Sequence, residues 1–212
     1  MTMNAYDESY LERAQITLGS MLDYAVHDLQ MDLGAFYMLF LTTGLADRFA
    51  DGCAACTVGN SGAELALKVL EKAGLPWEPT EPRYREGRSK EFWTGWALAY
   101  YQWSESESFK RIQEFMPVDQ IRDMYEPYHE MDLRQFADTL KARKNAYGSK
   151  TALARLRRYA ELSQSMLAEK SGVPVRTIQQ YEQRQKHIEK AGADQLARLS
   201  RALCCSAEVL IR

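Results

Sequence analysis

What this 212-residue chain lacks narrows its class first. No apolar run approaches the ~20 residues a membrane-spanning helix needs. The opening MTMNAYDESY is acidic and polar, unlike a signal or transit peptide, so the expected location is cytoplasmic. Cysteine is scarce, with four residues placed as Cys53-Ala-Ala-Cys56 and Cys204-Cys205. One C-x-x-C without a second pair at zinc spacing is a weak metal signal. Two readings stand for it: a redox pair or half a zinc site, and, preferred, small residues in a loop of a reducing compartment. The three histidines, His27, His129 and His187, stand apart, so no metal ligand set is expected. There is no phosphate-binding glycine loop, no G-x-S-x-G and no metal-spaced His/Asp cluster. Tyr128-His129-Glu130, flanked by Pro127 and Asp132, reads as a turn rather than as acid–base machinery. An enzyme is therefore not expected, and neither is a cofactor. No repeat, low-complexity tract or convincing strand is present.

What remains is helical. Hydrophobic residues make up 46% and charged residues 26%, ordinary for a folded protein. In Ser9–Met31, Leu11, Ala14, Leu18, Met21, Leu22, Ala25, Val26 and Leu29 draw one stripe at helical steps. Asp32 caps a second helix carrying Phe36, Leu39, Phe40 and Leu45 towards Phe49, with Gly52 as its stop. Ser61-Gly-Ala-Glu64 fits a capping box, and Gly74 ends the helix it opens. Pro76, Pro79 and Pro82 then enforce a long exposed loop. Ser89 caps the helix FWTGWALAYYQW, aromatic nearly all round and expected at the centre of the N-terminal domain. Ser108–Met116 and Val118–Tyr125 read as short helices, and Asp132 caps Leu133–Lys144. The resulting expectation is all-α, with a helical domain at 1–145, a linker at 146–149 within the small, polar NAYGS, and a second domain at 150–212.

Charge separates the two parts. Residues 1–149 hold 15 Lys/Arg and 23 Asp/Glu, a net of −8; residues 150–212 hold 12 and 6, a net of +6. The basic end is the natural candidate for a polyanion, although simple attraction between the halves would also account for the split.

Within the basic part, LSQSMLAEKSGVPVRTIQQYE has a definite plan. Ser163 is an N-cap. Met166 or Leu167, with Ala168, turns inward. Gly172 permits a left-handed turn, Val173 plugs the corner, and Pro174 suits the next helix's first turn. Ile178 and Tyr181 face the core. Val175, Arg176, Thr177, Gln179, Gln180 and Gln183 are left outward with no acid before Glu182. Glutamine pairs bidentately with adenine and arginine with guanine, while valine and the threonine methyl can touch thymine. The helix N-terminus near Gln164 suits a phosphate. Arg155, Arg157 and Arg158 read either as phosphate contacts or as a solvated face.

These residues, continuing to LARLSRALCCSAEVLI, resemble the five-helix DNA-binding domain of phage repressors and the Cro/xenobiotic-response-element (XRE) family, a lambda-repressor-like helix-turn-helix. The resemblance covers Thr151–Arg212 and implies that the third helix enters the major groove. By position it assigns base contacts to Val175, Arg176 and Gln180, a phosphate contact to Gln164, a backbone-side place to Thr177, and Leu196, Leu199, Leu203, Val209 and Leu210 to the core. Gln179 is counted with the DNA-facing residues, and Lys186 and Lys190 reach towards phosphates. In two places the sequence departs from the family: Arg184 and Cys204 stand where glycine is usual, at positions that normally need a left-handed backbone, at a cost of about 1 kcal/mol each.

The function this implies is a sequence-specific transcriptional regulator binding double-stranded operator DNA, as a homodimer, and the expected role is that of an antitoxin that represses its own operon and binds a partner toxin through the N-terminal domain. The alternatives are a ligand-sensing transcription factor, with the aromatic helix Phe92–Trp103 lining a pocket, and a protein-interaction module whose helix-turn-helix is vestigial.

Overall fold

The computed structural model describes residues 4–78, 80–83, 87–148 and 150–211; Pro79 and Ser149 lie outside them. The described residues are all-α, with no strand among them. The chain divides into two compact units, Met1–Lys144 and Asn145–Arg212.

The first unit is built around α1 (Leu11–His27), with α2 (Leu33–Thr42), α3 (Leu45–Ala50), α4 (Ala54–Thr57), α5 (Gly62–Lys72) and α6 (Lys90–Glu105) following in order. The caps fall where the side chains can supply them. Asp32 Oδ1 accepts the Ala35 N–H at 2.8 Å, Ser61 and Glu64 form the reciprocal capping box, and Ser89 Oγ accepts the Phe92 N–H at 2.9 Å. The helix expected from Asp32 towards Phe49 is two helices. Gly44 breaks it with φ +76°, a left-handed conformation that costs glycine nothing.

α1 is buried on more sides than its apolar stripe indicates, because α5 and α6 both pack against it. Gln15 and Thr17 are buried along with Ala14, Leu18, Met21 and Leu22. Gln15 is satisfied there by donating to the Trp96 carbonyl at 3.2 Å. Close approach of the helices demands glycine. A β-carbon on Gly95 would stand 2.5 Å from the Leu18 carbonyl oxygen and 2.8 Å from Gly19 Cα.

α6 carries the aromatic centre. Trp93 meets Tyr125 and Phe136 edge to face, with ring centroids 5.8 and 5.5 Å away, and Tyr101 meets Phe115 in the same manner. The unit closes with α7 (Phe109–Phe115), α8 (Val118–Asp123), α9 (Tyr125–Tyr128) and α10 (Leu133–Gly148). Ser108 caps α7, and Asp132 Oδ1 accepts the Arg134 N–H at 2.9 Å at the start of α10. No described helix is long and apolar enough to cross a membrane.

The described part of the stretch read as a linker is helical. Asn145–Gly148 continue α10, since extending a helix already formed costs little even through unremarkable residues. Within the second unit, the Tyr147 ring receives the Arg155 guanidinium at 4.7 Å, and the Gly148 carbonyl accepts from Arg184 at 3.0 Å.

The second unit holds α11 (Ala152–Tyr159), α12 (Gln164–Ser171), α13 (Val175–Glu182), α14 (Ala193–Leu203) and α15 (Ala207–Leu210), with a 3-10 turn at Ile188–Lys190. Its core contains Leu153, Leu167, Ile178, Tyr181, Leu199 and Leu210. Of the pair Met166 and Leu167, Leu167 is the inward residue; Met166 is half exposed. Two expected core residues fall short: Val209 is 42% exposed, and Leu196 is only half-buried. α15 is a single short turn, and only Leu210 can point inward from it. Arg184 and Cys204 both adopt the left-handed backbone, with φ +58° and +52°. The turns keep the shape for which glycine is usual, despite the side chains.

Two stability measurements follow. Gly95→Ala should destabilise the first unit by about 1–3 kcal/mol in chemical denaturation, because backbone rather than a movable side chain blocks the new methyl group. Cys204→Gly should stabilise the second unit by about 0.5–1 kcal/mol, since the exposed Cys204 side chain gives up only a weak sulfur contact to Arg201.

Candidate nucleic-acid interface

α12 and α13 are joined by a three-residue turn. Ser163 Oγ caps α12 by accepting the Met166 N–H at 3.1 Å, and Gly172 closes it with φ +67°. The buried Ser171 hydroxyl donates to the Leu167 carbonyl and accepts from the Val173 N–H, fixing the corner. Pro174 stands at the N-cap of α13. Ile178 and Tyr181 then point inward, and Tyr181 donates to the Gln195 side chain at 3.0 Å.

The other side of α13 faces out. Arg176 is exposed, and Val175, Thr177, Gln179 and Gln180 are half exposed. Among the described residues no ion pair engages Arg176, and no side-chain hydrogen bond engages Gln180. Beyond α13, Gln183, Gln185 and Lys186 are exposed. The backbone N–H groups of Gln185 and Lys186 both donate to the Gln180 carbonyl, which folds the loop back against the helix end.

The Gln164 side chain, expected at a phosphate, lies between Glu182 and Gln179. Its amide donates to Glu182 Oε2 at 2.8 Å and accepts from Gln179 Nε2 at 3.4 Å. One N–H of each amide is thus used within the unit. At this end α12 also has the first-turn N–H groups of Gln164 and Ser165, which lie ahead of the Met166 donor that Ser163 caps.

Arg157 is neither a phosphate contact nor part of a solvated face. It is buried, and its guanidinium grips Glu182 with two bonds, Nε to Oε1 at 2.7 Å and Nη2 to Oε2 at 2.9 Å. Its remaining nitrogen donates to the Leu162 carbonyl at 2.7 Å. The two side chains are 10% and 7% exposed. Burial pushes the Glu182 carboxyl up, but hydrogen bonds from Arg157 and Gln164 and the charges of Arg157 and Arg158 outweigh it and hold the carboxyl below the usual range. The one acid on α13 is thus neutralised internally. Helical spacing contained the signal: Arg157 lies four residues after Leu153, and Glu182 four after Ile178, so each shares a buried face. Of the other two arginines, Arg155 is taken up by Tyr147 and the Lys150 carbonyl, and Arg158 is exposed.

A further cationic group, Lys170, Arg198 and Arg201, borders a cavity of about 220 Å³ beside Ser171 and Ala202. Asp194 pairs with Arg198 at 2.7 Å. No group of three or more His, Cys, Asp or Glu converges as a metal site among the described residues.

No family model matches the chain, and no curated protein or solved structure is significantly similar to it. The residues themselves must carry any functional reading.

The Arg157–Glu182 pair supplies a direct test of the architecture. Removing one partner strands a buried charge, so Arg157→Met should cost about 3–5 kcal/mol, whereas Arg157→Met with Glu182→Leu should cost markedly less than the two singles together. The pH dependence has a definite sign. The folded carboxyl titrates below the unfolded one, so the pair's contribution is complete above ~4.3 and is lost as pH falls through the folded value. Protection factors at the amides of residues 150–211, taken relative to intrinsic exchange at each pH, should fall as pH drops below ~4.3 in the wild type, and Glu182→Gln should remove much of that acid sensitivity.

Proposed function

We propose that the chain is a sequence-specific DNA-binding transcriptional regulator whose second unit works as a helix-turn-helix of the phage-repressor and XRE kind. α13 is its groove-entering helix. One observation carries the reading: Arg176 and Gln180 stand outward and uncommitted on a helix whose only acid, Glu182, is consumed by Arg157. The unit's net charge of +6 over residues 150–212 suits a polyphosphate backbone. In this reading Arg176 and Gln180 address base edges, with Val175 and Thr177 beside them. Gln179 holds Gln164 in place, Lys186 contacts phosphate, and the α12 N-terminus rather than the Gln164 amide meets the backbone.

The biological role we infer is that of a cytoplasmic antitoxin that represses its own operon. The acidic first unit takes a basic toxin as partner, and it has no catalytic task and no cofactor. Pairing as a homodimer is favoured because one short helix makes too few contacts for tight binding, and two-fold partners reach half-sites ~34 Å apart. The left-handed turns at Arg184 and Cys204 weigh against a vestigial domain, since both keep the required backbone. The aromatic rings of α6 are occupied by one another and their neighbours, which favours a packed core over a ligand pocket.

Footprinting on the DNA upstream of the chain's own gene, followed by anisotropy titration, tests this. Affinity should fall steeply between 50 and 200 mM salt, by ~10³-fold or more if about six phosphates are neutralised. Arg176→Ala should weaken specific binding by about 1–3 kcal/mol, and Lys186→Ala should reduce the salt slope by about 1. Wild-type affinity in Arg176→Ala would overturn the assignment of the reading face.

A further inference from the structure

The Cys53–Cys56 stretch folds as a closed turn rather than as the loop expected for it. Asp51 and Gly52 reverse the chain after α3, with Gly52 at φ +70°, and the Cys53 N–H donates to the Arg48 carbonyl at 3.0 Å. Cys53 stands at the N-cap of α4, and its carbonyl accepts from Cys56 at 2.7 Å and Thr57 at 3.0 Å. The turn is held from outside. A β-carbon on Gly52 would stand 2.6 Å from Tyr6 Cβ, Trp103 Nε1 donates to the Tyr6 carbonyl at 2.8 Å, and Gln102 donates to the Ala50 carbonyl at 3.2 Å. Residues three apart on a helical turn have Cα atoms about 5 Å apart. That lies inside the range a disulfide spans, about 4.4–6.8 Å.

The two thiols are unlike. Cys53 is partly exposed, and Arg48 Nη2 donates to its sulfur at 3.4 Å. Cys56 is 3% exposed and borders a cavity of about 260 Å³ that Arg48, Lys68 and Lys72 also line. The Arg48 hydrogen bond draws the Cys53 thiol below its ordinary pKa, and burial pushes Cys56 up. A partly exposed thiol that accepts a hydrogen bond from a guanidinium, with a buried thiol one turn away, matches the division of labour between an attacking and a resolving cysteine.

We propose that Cys53 and Cys56 form a reactive dithiol site for hydroperoxides, with Cys53 attacking and Cys56 closing the disulfide. The Cys53 thiolate attacks one oxygen of hydrogen peroxide. The O–O bond breaks, and the departing hydroxide takes the proton that Cys53 released, giving water and a sulfenic acid on Cys53. The Cys56 sulfur then attacks the Cys53 sulfur; the S–O bond breaks, and the hydroxyl leaves as water with the Cys56 proton. Two thiols and one peroxide become one disulfide and two waters. Arg48 is the positioning residue, stabilising the thiolate before attack. Its partner charge disappears once the disulfide forms, leaving the adjoining cavity more cationic.

The test uses the full chain. At pH 7 iodoacetamide should label Cys53 about threefold or more faster than Cys204, since a lowered thiol pKa raises the thiolate fraction more than it lowers nucleophilicity. Arg48→Met should bring Cys53 to the Cys204 rate. One equivalent of hydrogen peroxide should make the tryptic peptide 49–68 about 2 Da lighter, the two thiol hydrogens being lost, and dithiothreitol should reverse this. In Cys56→Ala, dimedone should trap the sulfenic acid on Cys53. Equal labelling of Cys53 and Cys204, or peroxide treatment that leaves no Cys53–Cys56 disulfide, overturns the proposal.

Discussion

Glu182 accepts three hydrogen bonds, two from Arg157 and one from Gln164, and the second unit hangs on them. They tie α11, α12 and the end of α13 to one point in a place nearly closed to water. A buried carboxylate without such partners would be untenable, and a buried guanidinium likewise. Because the acid is satisfied inward, the outward side of α13 carries no negative charge. The same pair thus bears on packing and on surface electrostatics.

In the first unit the equivalent constraint is steric. Gly19 and Gly95 let α1 and α6 meet backbone to backbone, and α5 comes as close through Gly62. Side-chain identity matters less there than the lack of one. The aromatic residues of α6 then fill the space around that crossing with edge-to-face contacts, each worth ~0.5–1.5 kcal/mol beyond the area buried.

Much of this was legible in the sequence, in a way that follows the physics. Caps were readable because Asp32, Ser61, Ser89, Asp132 and Ser163 must lie beside the donors they satisfy. The inward residues Leu167, Ile178 and Tyr181 followed from helical spacing. The break at Gly44 was hidden, because a lone glycine in an apolar run does not reveal its φ. The burial of Gln15, Thr17 and Arg157 was hidden because polar residues are discounted when an apolar face is traced. The composition of Asn145–Gly148 pointed to a linker, yet a helix already under way runs through them. Val209 was assigned to the core by the resemblance, but a four-residue helix offers only Leu210 a place inside. At the candidate interface Arg176 and Gln180 were legible as outward residues. The commitment of Gln164 to Glu182 was not, because that contact joins residues eighteen apart.

The cysteine turn teaches a related lesson. A single C-x-x-C is a poor signal alone; what gives it content is Arg48, reached only through the reversal at Gly52. The central claim nonetheless rests on α13. Selection of the full chain against a random-sequence DNA duplex library tests it most directly. The account predicts enrichment of a sequence with two-fold related half-sites about one helical turn, ~34 Å, apart, and loss of that enrichment in Arg176→Ala. No enriched sequence, or the same sequence enriched equally by the variant, would contradict it.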